Sequence, residues 1–416
     1  MVPFSKLVIV AAHLATLHQQ IDGFGFSQAF GRAREFQQAN ASLQKAALDY
    51  LFSTSPGAGF SIIRNRIGSG ASSDDSILPT NPGSPSSTPT YVWNNDDRGQ
   101  VWFTKQAMSY GVKTIYADAW SAPGFMKTSG SEATVGYLCG TPGHACSSGD
   151  WRQAYANFLV KYVQLYADAG LPITHLGFLN EPDYEVSYSQ MQISNNAAEA
   201  IDFIRVLAAT VKAAGLSAKV IASQPLTSTP ITGTSLRKWN TEGGPSGTFT
   251  TTWYSSGAAN EGFTWANKLA VAMVKVELSA YLFWQGFQVE NTASAMHLVD
   301  TLDGTTATPS GIFWAFAMWS RHIRPGAYRV ATSGSMSNVI TGAFVNTDGS
   351  VVVVFTNSGS SSQSAQVSFT GFTPTAASAW VTSNSAKFAS TSASLSGGKV
   401  TVSVPGRGIV TVKLTK

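Results

Sequence analysis

Residues 176–185 read LGFLNEPDYE: an apolar run that passes without a break into Asn180, Glu181 and Pro182, with Asp183, Tyr184 and Glu185 behind it. Desolvating a carboxylate is costly, and this chain is sparing with charge. Only 12% of its residues are Asp, Glu, Lys or Arg, against about 25% in an ordinary soluble domain. A strand that ends in an acid therefore asks for a fold that does chemistry at strand ends, and a barrel of parallel strands is such a fold.

The sequence on either side answers the pattern. Upstream, GFGFS (23–27), FSIIRNRIG (60–68) and VKTIYADAWSAP (112–123) read as strands, and QQANASLQKAALDYLFS (37–53) and RGQVWFTKQAMSYG (98–111) read as helices. The helix over 150–170 is opened by Asp150 as N-cap and closed by Gly170. Downstream come helix 196–215, strands AKVIASQ (218–224) and RKWNTE (237–242), helix 264–277, strand AYLFWQGFQ (280–288) and helix 309–323. Strands alternating with helices over about 300 residues predict a parallel sheet covered by helices, with a (β/α)8 TIM-type barrel as the leading form.

After Arg324-Pro325-Gly326 the pattern changes. VVVVFTNSG, SAQVSFTGF, AASAWVTSN, GKVTVSVPG and GIVTVKLTK alternate with Ser, Thr and Gly turns, which predicts an antiparallel β-sandwich over 326–416 beside a barrel over 21–325. The Ser-rich stretch 357–366 reads as a turn within that sandwich. Residues 1–20 are either a short signal peptide or the first side-domain strand. The apolar run LVIVAA after Lys6 is shorter than a usual signal core of about 7–15 residues and cannot span a membrane.

Composition narrows the partners. A net charge of +4 without a basic run gives no footprint for nucleic acid or an anionic membrane. Aromatics make up 11%, with 11 Trp, and exposed rings beside a few polar groups suit neutral, hydroxyl-rich ligands such as sugars. Cys139 and Cys146 share a Gly/Ser-rich loop and are expected to form a local disulfide. Asn40-Ala41-Ser42 has the form of a glycosylation acceptor, a triplet that also arises by chance.

Strand ends then supply the candidate site: Asp118, Trp120 and Ser121, then Asn180 and Glu181, then Glu242, then Trp284. Two glutamates at strand ends of one barrel are what glycosidic cleavage needs. One donates a proton to the departing oxygen, and the other attacks, or activates water at, the anomeric carbon. No cofactor and no metal are called for.

Seven stretches together resemble glycoside hydrolase family 30, in its fungal xylan-degrading branch: IDGFGFSQAFGRA (21–33), IIRNRIGS (62–69), YADAWSAPGFMKT (116–128), CSSGDWRQAYANFLVKY (146–162), LGFLNEPDYEVSYSQMQ (176–192), TTWYSSGAANEGFTWAN (251–267) and RHIRPGAYRV (321–330). The resemblance implies a catalytic barrel with a β-sandwich beside it, secreted and monomeric, cleaving β-1,4-linked xylan with retention. Carried over, Glu181 is the acid/base and Glu242 the nucleophile. In the retaining geometry the two carboxyls lie about 5–5.5 Å apart, so ionised Glu242 would hold the proton on Glu181. Asn180 would bond the sugar 2-hydroxyl, and Trp120 and Trp284 would flank the sugar as stacking faces. Arg66 would orient a catalytic carboxylate, with a structural ion pair in the barrel floor as its alternative. Arg32, in AFGRA, would grip the carboxylate of a glucuronic acid branch, with Arg34 as a competitor.

The chain also departs from the family. Between AKVIASQ and RKWNTE only residues 225–236 remain, whereas a crossover helix needs about 10–12 residues and a strand about five more. Seven barrel strands are therefore expected, with one helix-strand unit lacking between Ser223 and Arg237 and a seam there. TEGG after the nucleophile strand also differs from the family's usual residues. Two other readings stand beside the xylanase: a hydrolase for another β-glycoside, of β-1,6-glucan or glucosylceramide type, and a degenerate carbohydrate-binding protein without catalysis.

Overall fold

The computed structural model describes residues 8–70, 72–182, 184–194, 196–221, 236–289 and 293–416. It resolves into two compact units, one of residues 1–27, 38–62 and 235–416, the other of residues 28–37 and 63–234. The strands are β1 (Val8–Gln20), β2 (Gly23–Ser27), β3 (Ile62–Ile67), β4 (Thr114–Ala119), β5 (His175–Gly177), β6 (Lys219–Ile221), β7 (Trp239–Asn240), β8 (Ala280–Phe287), β9 (His297–Thr301) and β10 (Ala307–Pro309). Nine more follow: β11 (Tyr328–Ser333), β12 (Val339–Val345), β13 (Val351–Asn357), β14 (Gln363–Thr370), β15 (Ala376–Ser383), β16 (Ala386–Thr391), β17 (Ala393–Ser396), β18 (Lys399–Val404) and β19 (Gly408–Thr415).

In the second unit, β3, β4, β5 and β6 lie side by side, with β4–β5 and β5–β6 parallel. Every residue of β3 is buried, as expected of a strand covered on both faces. Three helices belong to this unit: α3 (Gln100–Ser109), α4 (Arg152–Asp168) and α5 (Ala198–Ala213), following a short α1 (Arg32–Gln38). The helix read over 37–53 is really two. α1 stops at Gln38, and Asn40 caps α2 (Ala41–Phe52) by accepting the Leu43 N–H at 2.8 Å. The apparent glycosylation triplet is thus a helix cap, whose side chain also accepts from Ser42 Oγ. At α4 the N-cap position belongs to Trp151 rather than Asp150, although Asp150 Oδ1 still accepts the Arg152 N–H at 3.1 Å.

In the first unit β8 is the hub. β2 runs parallel along one stretch of it, Gly23 opposite Ala280 through Ser27 opposite Gln285. β7 pairs its start and β9 its end, both parallel, and β10 turns back antiparallel on β9. All seven barrel strands read from the sequence are present. β9 and β10 add two further strands to the same sheet beside the end of β8, β10 running antiparallel. The expected seam falls on residues 222–235, outside the described residues; β6 on one side of it is laddered to β5 and β7 on the other to β8.

The sandwich is a ten-strand path, β16-β15-β19-β13-β12-β11-β1-β14-β18-β17, antiparallel except where β1 runs parallel to β14. Val8–Gln20 is therefore a strand of this sheet, paired to β11 on its other edge. Inward-facing Val353, Phe355, Val367, Val402, Val410 and Val412 pack into one core. β13 is buried on both faces, because α6 (Gly262–Ala270) and α7 (Gly311–Ser320) cover this side of the sheet, with Trp319 edge-on to Phe344 at 6.0 Å.

Candidate active site

The surroundings of Glu181 are built from the ends of β3, β4 and β5. Arg64 and Arg66 are two residues apart on β3 and so share one face of it. Arg64, 1% exposed, is held among Asp118, Asn180 and Trp120. Its Nη2 donates to Asp118 Oδ2 at 2.5 Å and to Asn180 Oδ1, and its guanidinium lies 4.2 Å over the Trp120 ring. Asn180 is thereby fixed with its amide facing outward, Nδ2 donating to Glu181 Oε2 across a long 3.4 Å. Glu181 is exposed and takes a left-handed backbone, φ +40°. That conformation costs a non-glycine residue about 1–3 kcal/mol and persists only where its surroundings enforce it. Gly177 permits the arrangement, since a Cβ there would meet Asp118 Oδ1 at 2.1 Å and Tyr116 Oη at 2.4 Å. Behind the strand, Tyr155 donates to the Phe178 carbonyl at 2.6 Å. Burial, and then the Asp118 charge, push its pKa well up, so the phenol stays a donor.

Two expectations for this unit, those for Trp120 and Asp118, are corrected, and for Arg66 the structure shows the alternative, a structural ion pair, at the loop end of β3. Arg66 does not reach Asn180 or Glu181: it pairs with Asp75 and Glu132 and donates to Ser189 Oγ at 2.8 Å. It lies one strand repeat nearer the loops than Arg64 and holds them together. Arg64 is the residue the sequence reading missed, although an arginine inside IIRNRI in so charge-poor a chain was the signal. Trp120 is 2% exposed, with Arg64 against its ring, so it offers no open stacking face. Asp118 is 1% exposed and bound to Arg64, which makes it a support beneath the site rather than a contact surface.

Arg32 opens α1 and pairs with Glu35 one turn on, while Arg34 pairs with Asp96. Lys127 was also missed. Only 3% exposed, it donates to the Glu132 carbonyl at 2.9 Å, the Thr134 carbonyl at 3.0 Å and the Gln190 carbonyl, tying together the loops after β4 and β5. Burial pulls its pKa down to about 8, against the opposing pull of Glu132.

Glu242 lies after β7, in the first unit. Asn240 Nδ2 donates to the Glu242 carbonyl at 2.8 Å, and the Trp284 N–H donates to the Gly243 carbonyl at 2.8 Å, so the backbone at the acid and just after it is pinned to its own strand and to β8. Glu242 and Trp284 are half-buried. Gly243 has a physical reason: a Cβ would lie 2.9 Å from Tyr281 Oη. Tyr281 is itself pushed up to about 12 by burial and remains a phenol. At the base of β7, Trp239 Nε1 donates to Asp22 Oδ2 at 2.8 Å, and Arg237 pairs with the same carboxylate.

Each unit thus presents a carboxylate after a strand, and acid/base and nucleophilic work on an acetal takes a pair of such groups. Residues 7–227 match the O-glycosyl hydrolase family 30, and residues 326–412 match the family's β-sandwich domain. The chain belongs to glycoside hydrolase family 30. Family 30 membership makes it a glycoside hydrolase, with a TIM-type barrel and a β-sandwich side domain.

The catalytic domain of a family 30 xylanase C from Talaromyces cellulolyticus is similar over 98% of this chain and 100% of its own, with 46% identity and a TM-score of 0.92. An endo-1,6-beta-D-glucanase from Trichoderma harzianum is 30% identical over 49% of this chain and 42% of its own length. One from Aspergillus fumigatus is 29% identical over 39% and 35%. The chain thus spans less than half the length of these curated relatives. Cys139 and Cys146 are bonded, Cα–Cα 5.5 Å. No helix among the described residues is long and apolar enough to cross a membrane.

Proposed function

We propose that the chain is a secreted, retaining endo-xylanase acting on glucuronoxylan. The observation that carries xylan is the full-length similarity to a xylanase catalytic domain, 46% identical. In this reading Glu181 protonates the glycosidic oxygen while Glu242 attacks the anomeric carbon, giving a glycosyl ester on Glu242 and a departed sugar. Glu181, now ionised, takes a proton from water, and the hydroxide so formed displaces Glu242 with a second inversion. Arg64 acts through Asn180, keeping the amide that faces Glu181 in place. Trp284 offers the half-buried ring against which the sugar lies. The local disulfide suits an oxidising, extracellular compartment.

Arg32 is the uronate partner in this reading. Its present partner Glu35 is a partly exposed neighbour on the same helix, and such pairs contribute about 0–1 kcal/mol, so a branch carboxylate displaces it at little cost. Arg32→Ala should lower kcat/KM on glucuronoxylan by about ten- to a hundredfold and leave unbranched xylan unchanged. Equal losses on both would remove Arg32 from the site.

A second reading, a β-1,6-glucanase, is favoured by the curated relatives. Reducing-end release from purified glucuronoxylan and β-1,6-glucan, with the product anomer followed by NMR, separates the two. The proposal expects β-xylosyl products from the first and nothing from the second. Release from β-1,6-glucan alone would replace it, and tight xylan binding without release would support the non-catalytic alternative.

A further inference from the structure

We infer that Tyr188, backed by Phe30 and flanked by Tyr184, is the platform for the sugar residues on the leaving-group side of the cleaved bond. The inference rests on the reading of Glu181 as the acid. A general acid must stand beside the oxygen it protonates, so the chain segment that runs on from it borders the departing half of the substrate. Residues 184–190 are that segment, and the Tyr184 N–H returns to the Glu181 carbonyl at 3.0 Å. Tyr184 is 60% exposed and Tyr188 44%, two large rings presented to solvent within one short loop.

Their support is not that of a loose loop. A row of rings runs out from the buried arginine: Arg64 over Trp120, Trp120 edge-on to Phe30 at 5.3 Å, Phe30 edge-on to Tyr188 at 6.0 Å. Phe30 holds its place through a left-handed backbone, φ +53°, and carries the Arg66 guanidinium 4.4 Å over its ring. Strain of that kind is found where a fold fixes a side chain for use. Ser189, next to Tyr188, is 6% exposed and takes a hydrogen bond from the same Arg66, and the Gln190 N–H bonds the Glu132 carbonyl at 3.0 Å. The displaced Arg66 thus acquires a purpose: it clamps the ring platform instead of the carboxylate. A half-exposed tyrosine that meets Phe30 at 76° and whose chain is fastened loses little freedom on binding, and an aromatic face matches the apolar C–H side of a pyranose.

Two substrates that share the same non-reducing half and differ on the leaving side test this. One is the hexasaccharide of the glycan that the native chain cuts, xylohexaose or its β-1,6-glucan counterpart. The other is the matching disaccharide β-fluoride, whose leaving group is a bare fluoride. Tyr188→Ala should lower kcat/KM on the hexasaccharide about tenfold and leave the fluoride within about twofold, as expected for one lost stacking contact. Tyr188→Phe should remain near native on both, and Tyr184→Ala should show the same asymmetry at smaller size. Equal losses on both substrates, or none on the hexasaccharide, would overturn the platform while leaving the hydrolase reading intact. A native chain that cuts neither substrate overturns that reading and the platform with it.

Discussion

The strand end that carries Glu181, in one unit, and the strand end that carries Glu242, in the other, are built by opposite means. Around Glu181 the fold uses charge: a nearly buried arginine bridges a buried aspartate and the asparagine beside the acid, and the acid sits on a strained backbone. Around Glu242 it uses backbone: a two-residue strand, two glycines and main-chain bonds to β8. The difference teaches where each strand end is vulnerable. Ion-pair wiring fails when one member is removed, whereas a backbone mount tolerates side-chain exchange at the acid itself.

The contrast is drawn most sharply at Glu242. Glu242→Gln keeps the shape and, on a backbone mount, should keep the fold. Turnover should fall about a thousandfold or more because a carboxamide cannot attack, while thermal melting and oligosaccharide binding stay near native. Near-native cleavage of an aryl xyloside would mean that the nucleophile lies elsewhere. Arg64→Met comes next. It leaves Asp118 buried without its partner, and unfolding by guanidinium chloride should show a loss of about 3–5 kcal/mol, with activity falling alongside. Adding Asp118→Leu should recover part of the stability and none of the activity; an unaltered single variant would show that the wiring is ornamental.

A smaller effect belongs to the first unit. Glu261, 5% exposed, accepts the N–H groups of Ser255, Ser256 and Gly257, each at 2.9 Å. Burial pushes its pKa up, but these bonds outweigh it and hold the carboxyl down at about 2. A depressed folded-state pKa stabilises above the ordinary glutamate range, and that stability is lost as pH falls from there through about 2. Glu261→Gln should therefore cost about 2 kcal/mol at pH 7 once solvent screening is allowed for, and should flatten that acid window. An unchanged acid profile would contradict it.

Much of this was legible because buried parallel strands are written as apolar runs and because an acid after such a run stands out. GFGFS, IIRNRI and LGFLNEP make the barrel readable, and the end of the last marks Glu181 as a candidate. Pairing partners were less legible. Arg64 and Arg66 lie on the same face of one strand, so only the tertiary positions of Asp118 and Asn180 decide which one supports the site. β9 was hidden by His297 and Asp300, fully buried and 3.2 Å apart, which break the apolar pattern although the strand is entirely internal. The cap at Asn40 reads in the sequence as a glycosylation acceptor because its hydrogen bond to Leu43 is a local geometry that composition does not report.

The central claim is that Glu242 attacks while Glu181 serves as acid and base. Incubation with 2-deoxy-2-fluoro-β-xylobiosyl fluoride, followed by digestion and mass spectrometry, tests it most directly, because the fluorine slows release and leaves the sugar on the attacking residue. The account predicts one added glycosyl mass on the peptide that contains Glu242, in the native chain and in Glu181→Ala alike, and none in Glu242→Gln. A label on the peptide containing Glu181, or hydrolysis of xylan with inversion and no label at all, would contradict it.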